Sequence, residues 1–100
     1  MSNMFMLVGR INNDIKIEKN ENGVSTMILE VNVSRSYKNE EGIYESDIIE
    51  VRLWNGIANN TQEYCCKGDL VGIKGRIQQT GNKMELIAEK LTFLSSSKER

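Results

Sequence analysis

The sequence predicts a small all-β barrel that carries one short helix. Three stretches alternate apolar and polar residues with a period of two, as half-buried strands do: Ser25 to Ser34, Tyr44 to Trp54 and Leu70 to Gln78. A fourth stretch, directly after Trp54, has a helical period instead. With one further strand at each end of the chain, this pattern gives five strands and one helix.

The first two strands lie in the N-terminal third of the chain. Met4 to Ile11 is apolar almost throughout, and Gly9 marks a point where a strand bends, with a continuation at Ile15 to Glu18. The run KNENG, Lys19 to Gly23, predicts a turn because Asn and Gly tolerate positive φ. The second strand follows and presents to the core Met27, Leu29, Val31 and Val33.

The third strand holds the only tryptophan of the chain. Alternation assigns one face to the core through Ile49, Val51 and Leu53. The opposite face carries Ile48, Glu50, Arg52 and Trp54. A large aromatic residue therefore shares a face with two charged residues, which calls for a functional explanation.

The helix and the last two strands complete the pattern. Ile57, Thr61, Tyr64 and Cys65 recur at helical spacing, and Lys67 and Gly68 form a cationic last turn and a stop. Leu70 to Gln78 is the fourth strand. Met84 to Leu94 is the fifth, and its phase shifts near Glu89 and Lys90, which predicts a bulge.

Five strands with a helix between the third and the fourth is the order of the OB-fold, a five-stranded, partly open Greek-key barrel. We assign residues 1–94 to this domain and residues 95–100 to a polar C-terminal tail. No linker or repeat divides the chain.

Composition excludes several classes of function. The chain has no histidine, so it lacks the commonest general base and metal ligand, and we predict neither an enzyme nor a bound metal or cofactor. A net charge of −1 means that any phosphate contact depends on local clustering of the 13 Lys and Arg residues. We find no signal peptide and no membrane span, so we expect a cytoplasmic protein that does not bind membranes.

The sequence resembles bacterial and phage single-stranded DNA-binding proteins. Five stretches carry the resemblance and together cover nearly the whole chain: LVGRINND (Leu7 to Asp14), ILEVNVSRSYKNEEG (Ile28 to Gly42), SDIIEVRLWNGIANN (Ser46 to Asn60), CKGDLVGIKGRIQ (Cys66 to Gln78) and AEKLTFL (Ala88 to Leu94). The resemblance implies an OB-fold that coats single strands in DNA replication, recombination or repair.

The resemblance also implies which residues stack on bases. The family places aromatic residues at the end of strand two, twice along strand three and on the last hairpin, and the first three positions correspond here to Tyr37, Ile48 and Trp54. Ile48 departs from the usual aromatic residue, and the hairpin QQTGNK contains none. For Trp54 the alternative is packing against the end of the barrel, and for Tyr37 it is anchoring of the loop. Tyr44 and Tyr64 are assigned to packing.

Phosphate contacts are expected from cationic residues near these positions. Arg52, Lys74 and Arg76 are the main candidates, since the outer row of strand three is expected to lie near that of strand four. The alternative is that they pair with Glu30 and Glu50. Further candidates are Lys38, Arg10 and Lys67.

The expected partners are single-stranded DNA and further copies of the chain. The resemblance implies a homotetramer, with a dimer as the alternative, and strand one is the expected contact because it is apolar on both sides. The acidic, Phe-tipped tail by which cellular members recruit replication enzymes has no counterpart, so we expect no such recruitment. The alternative function is that of a primosome-type OB-fold protein that acts as a homodimeric interaction module.

Overall fold

The computed structural model describes residues 1–97 and confirms the OB-fold. Within these residues the chain forms six strands and one helix: β1 (Phe5–Ile11), β2 (Glu18–Lys19), β3 (Ser25–Lys38), β4 (Tyr44–Trp54), α1 (Asn55–Tyr64), β5 (Leu70–Thr80) and β6 (Lys83–Ser95). The predicted continuation of the first strand at Ile15 to Glu18 is wrong for its first three residues, which form no strand, and the two-residue β2 begins only at Glu18. The other five strands are those of the predicted barrel.

The five long strands close into a ring. Their order is β1-β5-β6-β4-β3, and β3 pairs back onto β1. All pairs are antiparallel except β4 with β6, which meet at Val51↔Leu86 and Arg52↔Ile87. The β1–β3 contact is equally short, with Arg10↔Asn32 and Ile11↔Val31. β6 therefore lies between β4 and β5 on the barrel wall.

The core is built from the residues that alternation assigns to the inner face. Each of its largest members is at most 2% exposed, among them Ile11, Met27, Leu29, Val31, Val51, Leu53, Val71 and Ile73. Burial of one such side chain contributes about 1.5 to 3 kcal/mol. From α1, Ala58 and Thr61 are buried, so the helix covers one end of the barrel.

Two glycines allow strands to approach closely. At Gly75 an added Cβ would overlap the carbonyl oxygen of Ile87 and lie 2.8 Å from a ring carbon of Phe5. At Gly9 an added Cβ would overlap the carbonyl oxygen of Asn32 and lie 2.8 Å from Val31. No other residue fits at either point without a shift of the backbone.

The end of β6 is fixed to the turn that precedes β5. The fully buried Asp69 carboxylate accepts hydrogen bonds from the backbone N–H groups of Cys66 and Ser97, both at 2.9 Å. β6 itself runs to Ser95, one residue past the predicted domain boundary. Residues 98–100 of the predicted tail lie outside the described residues. The predicted bulge in β6 is confirmed, because the β5–β6 register shifts between Lys74 and Gly75.

α1 is ten residues long, which is too short to cross a membrane, and residues 1–97 contain no longer helix that could do so.

Candidate nucleic-acid interface

The outer face of β4 carries the residues that the sequence singles out. Val51 and Leu53 are fully buried, whereas Ile48 is 50% exposed and Arg52 and Trp54 are partly buried. The predicted alternation along this strand is therefore confirmed. Ile48 and Trp54 are six residues apart on one face, or about 20 Å along the strand.

Trp54 lies beside a cation. The guanidinium carbon of Arg52 is 5.7 Å from the centre of the indole ring. Arg52 is held there from two sides, by a 3.0 Å hydrogen bond to Thr26 Oγ1 and by Glu85 at 3.6 Å. A cation over an indole stabilises by about 0.5 to 1 kcal/mol at an exposed site. Indole and guanidinium thus form one combined surface that can contact a flat, electron-rich ring.

A groove crosses β3 and β4 next to this surface, and we call it the outer groove. Ile28 and Arg52 form its floor. One wall comes from the β5–β6 hairpin, with Thr80, Lys83, Met84 and Glu85. The other wall comes from the segment after β1, with Asn13, Asp14, Lys16 and Glu18. The groove consists of two adjoining depressions that share Ile28 and Arg52 and are both open to solvent, which suits an extended chain more than a compact ligand.

The predicted third and fourth strands are β4 and β5, and the expectation that their outer rows lie side by side is wrong. β6 separates β4 from β5, so the outer row of Arg52 and Trp54 is not adjacent to that of Lys74 and Arg76. Arg76 is still in line with Arg52, because both pair with Ile87 of β6. Lys74 instead pairs with Met6 of β1 and Lys90 of β6, on a different part of the wall.

Both arginines of this row form ion pairs with carboxylates. Arg52 meets Glu85, and Arg76 meets Glu89 at 3.3 Å while also donating to Gln78. The expected alternative partners were Glu30 and Glu50, which the structure instead places directly opposite each other across β3 and β4. The Arg76–Glu89 pair is exposed, whereas the side chains of the Arg52–Glu85 pair are only 25% and 27% exposed. An exposed pair typically contributes less than about 1 kcal/mol, so a polyanion can compete most easily for Arg76.

Arg10 and Lys67 lie toward the Ile48 end of this face. Arg10 pairs with Asn32 of β3, and Asn32 pairs with Ile48 of β4, so the three form one cross-strand row. The Arg10 guanidinium donates a 3.0 Å hydrogen bond to the carbonyl of Gly68, next to the exposed Lys67. The structure therefore brings Arg10 to the residue that follows Lys67, two positions that are 57 residues apart in the sequence.

Beyond the barrel, β3 and β4 continue as a two-stranded projection, residues 34–46, which we call the hairpin arm. Tyr37 and Tyr44 on this arm are 65% and 56% exposed, and Lys38 is exposed as well. The assignment of Tyr44 to packing is wrong, because 56% of the residue is exposed and, within residues 1–97, the strands of the arm pair only with each other. Tyr64 on α1, also assigned to packing, is 65% exposed.

One ion-pair cluster braces the arm. Arg35 donates to both carboxylate oxygens of Asp47, at 3.1 and 2.9 Å, and lies 3.6 Å from Glu45. The hydrogen bond from Arg35 lowers the pKa of Asp47. The pKa of Arg35 is raised, first by its hydrogen bond to Asp47 and to smaller extents by the negative charges of Asp47 and Glu45. Arg35 is thus engaged within the arm.

Sequence reasoning missed the contributors from the groove walls. Met84 is 70% exposed beside Lys83, and Lys16 faces them from the opposite wall. The hairpin QQTGNK contains no aromatic residue, so no base contact was predicted there. A methionine directly after the turn residues TGNK is the sequence signal that could have identified this wall of the groove.

The fold and this surface define a class: a small OB-fold barrel whose outer wall combines exposed aromatic, apolar and cationic side chains, as nucleic-acid-binding members of the fold do. The comparison with protein families agrees, since residues 2–94 match the model of the Single-strand binding protein family. The chain belongs to that family, which is one of binding proteins.

Similar proteins occur in several bacteria. The chain is 42% identical over 78 residues to Single-stranded DNA-binding protein B of Bacillus subtilis, covering 78% of this chain and 69% of that protein. It is 34% identical to the Single-stranded DNA-binding protein of Bacillus cereus, covering 94% of this chain and 61% of the relative. It is 33% identical to that of Oceanobacillus iheyensis, covering 96% and 65%. The chain thus spans about two thirds of the length of these relatives.

Proposed function

We propose that the protein binds single-stranded DNA without sequence preference and protects single strands in replication, recombination or repair. The observation that carries this proposal is the indole of Trp54 beside Arg52 on an open outer wall, in a chain of the Single-strand binding protein family. Aromatic faces stack on any base, and each such contact contributes about 1 to 3 kcal/mol. A cytoplasmic location fits this function.

The proposed path of the strand follows the outer groove and the outer face of β4. Trp54 and Ile48 contact bases, and Arg52 and Arg76 exchange their carboxylate partners for phosphates. Arg10 and Lys67 supply positive charge at the Ile48 end. On the arm, Tyr37 offers a ring for stacking and Lys38 supplies positive charge. Lys74 is the weakest candidate, since the structure places it beside β1. Glu30, Glu50 and Glu85 oppose a polyanion, so affinity is modest.

Salt dependence tests the phosphate contacts. Three to five contacts predict a log-log slope of roughly 2 to 3.5, because each released counterion on a single strand contributes about 0.7. Between about 50 and 200 mM salt, the affinity for a labelled oligothymidine should therefore fall about 15- to 130-fold in fluorescence anisotropy. Arg52→Gln should reduce the slope by about 0.7. An affinity independent of salt would contradict the proposed path.

We also propose self-association through β1. β1 pairs with β5 along Phe5 to Arg10 but meets β3 only at its last two residues, so part of its backbone edge has no partner strand among residues 1–97. On its outer side Met6 and Val8 are 68% and 51% exposed, and they form an apolar patch with Leu94 of β6. An unpaired, apolar edge is a template for pairing with a second copy.

A homotetramer is the expected assembly, and a dimer is the alternative. Sedimentation equilibrium at micromolar concentration should give four or two times the mass of the 11.4 kDa chain. Met6→Glu should shift this mass downward, because it places a charge in the apolar patch. A monomeric wild-type protein would refute the proposal.

The primosome-type interaction module is not favoured as an alternative. The relatives above are all named single-stranded DNA-binding proteins, and the outer wall offers the aromatic and cationic contacts that such binding needs.

A further inference from the structure

The outer end of the hairpin arm carries a second pair of an aromatic ring and a cation. Lys38 and Tyr44 are directly opposite each other in the β3–β4 ladder. The ammonium nitrogen of Lys38 is 5.6 Å from the centre of the Tyr44 ring. This repeats the arrangement of Arg52 and Trp54 at the other end of β4, where the distance is 5.7 Å.

Tyr44 lies on the same face of β4 as the proposed binding residues. Side chains alternate along a strand, so Tyr44 shares its face with Ile48 and Trp54. Ten residues separate Tyr44 from Trp54, or about 33 Å of strand. The β3–β4 register is irregular between Ser34 and Lys38, so alternation along β3 does not bring Tyr37 into this row. Tyr44, on the continuous strand β4, continues the line of Trp54.

The position of Tyr44 is fixed by the turn before it. The Asn39 side-chain oxygen accepts hydrogen bonds from the backbone N–H groups of Glu41 and Ile43, at 2.9 and 3.0 Å. The Asn39 N–H donates to the carbonyl of Ile43 at 2.8 Å, and Gly42 supplies the positive φ of 79° that the turn requires. The turn thus fixes the backbone that carries Tyr44, and the ring has Lys38 over it while 56% of the residue stays open to solvent. A ring that is already ordered loses little entropy when a ligand binds.

We propose that Tyr44 and Lys38 form a second nucleotide-binding site, in which the Tyr44 ring stacks on a base and Lys38 contacts the adjacent phosphate. The inference rests on the proposed function and extends the path of the strand beyond Ile48. Ile48 has no ring to offer a base, and Tyr44, four residues or about 13 Å further along the same face, supplies one. The site accepts any base, because stacking does not depend on base identity.

The test compares Tyr44→Ala with Ile43→Ala. Ile43 is its neighbour in the turn before β4 and is 54% exposed, so it is a matched control for the loss of an exposed side chain on the arm. Anisotropy with an oligothymidine of about 20 nucleotides, long enough to reach both ends of β4 at about 3.4 Å per stacked base, should show binding weakened about 5- to 150-fold by Tyr44→Ala. Ile43→Ala and Tyr44→Phe should bind within about twofold of the wild type, and melting temperatures should be unchanged, since the ring is exposed.

Two further readouts separate this inference from the proposed function. The effects of Tyr44→Ala and Trp54→Ala on log affinity should add, because the two sites are far apart and share no partner. Lys38→Gln should lower the salt slope by about 0.7. If Trp54→Ala weakens binding while Tyr44→Ala does not, the second site is wrong and the proposed function stands. If the wild type does not bind the oligothymidine, both are wrong.

Discussion

Replacement of Trp54 by alanine is expected to lower the affinity for single-stranded DNA about 5- to 150-fold, the range that corresponds to the loss of one stacked base. The ring is the largest aromatic surface on the outer face of β4 and has Arg52 beside it at 5.7 Å. Its removal deletes the stacking surface and leaves the guanidinium without the indole that helps to position it. Both losses act on the same end of the proposed path.

Anisotropy of a labelled oligothymidine measures this effect without relying on tryptophan fluorescence, which the alanine variant has lost. Trp54→Phe is the matched control, because phenylalanine keeps a stacking face of smaller area, and its affinity should lie between those of the wild type and the alanine variant. Trp54 is partly buried at the start of α1, so a melting curve should accompany each variant. An alanine variant that keeps its fold and binds as tightly as the wild type would contradict the assignment.

Replacement of Gly75 by alanine is expected to destabilise the fold by about 3 kcal/mol or more, at the upper end of the range for overpacking. The new Cβ would overlap the backbone carbonyl of Ile87, which belongs to the paired strand β6 and has no freedom to rotate away. The Phe5 ring, 2.8 Å from the same point, blocks the opposite direction. The melting temperature should fall by about 12 °C or more, measured by circular dichroism.

Gly56→Ala is the control for this experiment. Gly56 lies in the first turn of α1, has no positive φ, and an added Cβ there would meet nothing within 4 Å. Alanine at that position should raise the stability by up to about 1 kcal/mol, because it restricts the unfolded chain and favours the helix. Equal stability of Gly75→Ala and the wild type would mean that β5 and β6 do not approach as closely as described.

Local patterns predicted the elements of the fold because each depends on neighbours in sequence. The alternation from Ile48 to Trp54 placed Val51 and Leu53 in the core, where both are fully buried. The phase shift near Glu89 predicted the bulge opposite Lys74 and Gly75. Such features follow from the period of the side chains alone.

Contacts between distant strands could not be predicted in the same way. The parallel β4–β6 pairing rests on two residue pairs and is set by how the barrel closes, so the sequence pattern placed Lys74 beside Arg52 although β6 separates them. The partner of Arg52 is Glu85, which belongs to that intervening strand. The exposure of Tyr44 likewise depends on how far the hairpin arm extends beyond the barrel, where 56% of the residue is open to solvent among residues 1–97.

The central claim is that the one indole of the chain is a stacking surface for nucleobases, and its own fluorescence tests this most directly. Titration of the wild-type protein with homopolymeric single strands should quench the Trp54 emission in a saturable manner, and the Arg52→Gln variant should require more DNA to reach the same quenching. A duplex of the same length should quench weakly. Saturable binding by anisotropy with no change in Trp54 emission would show that the strand passes elsewhere and would contradict the account.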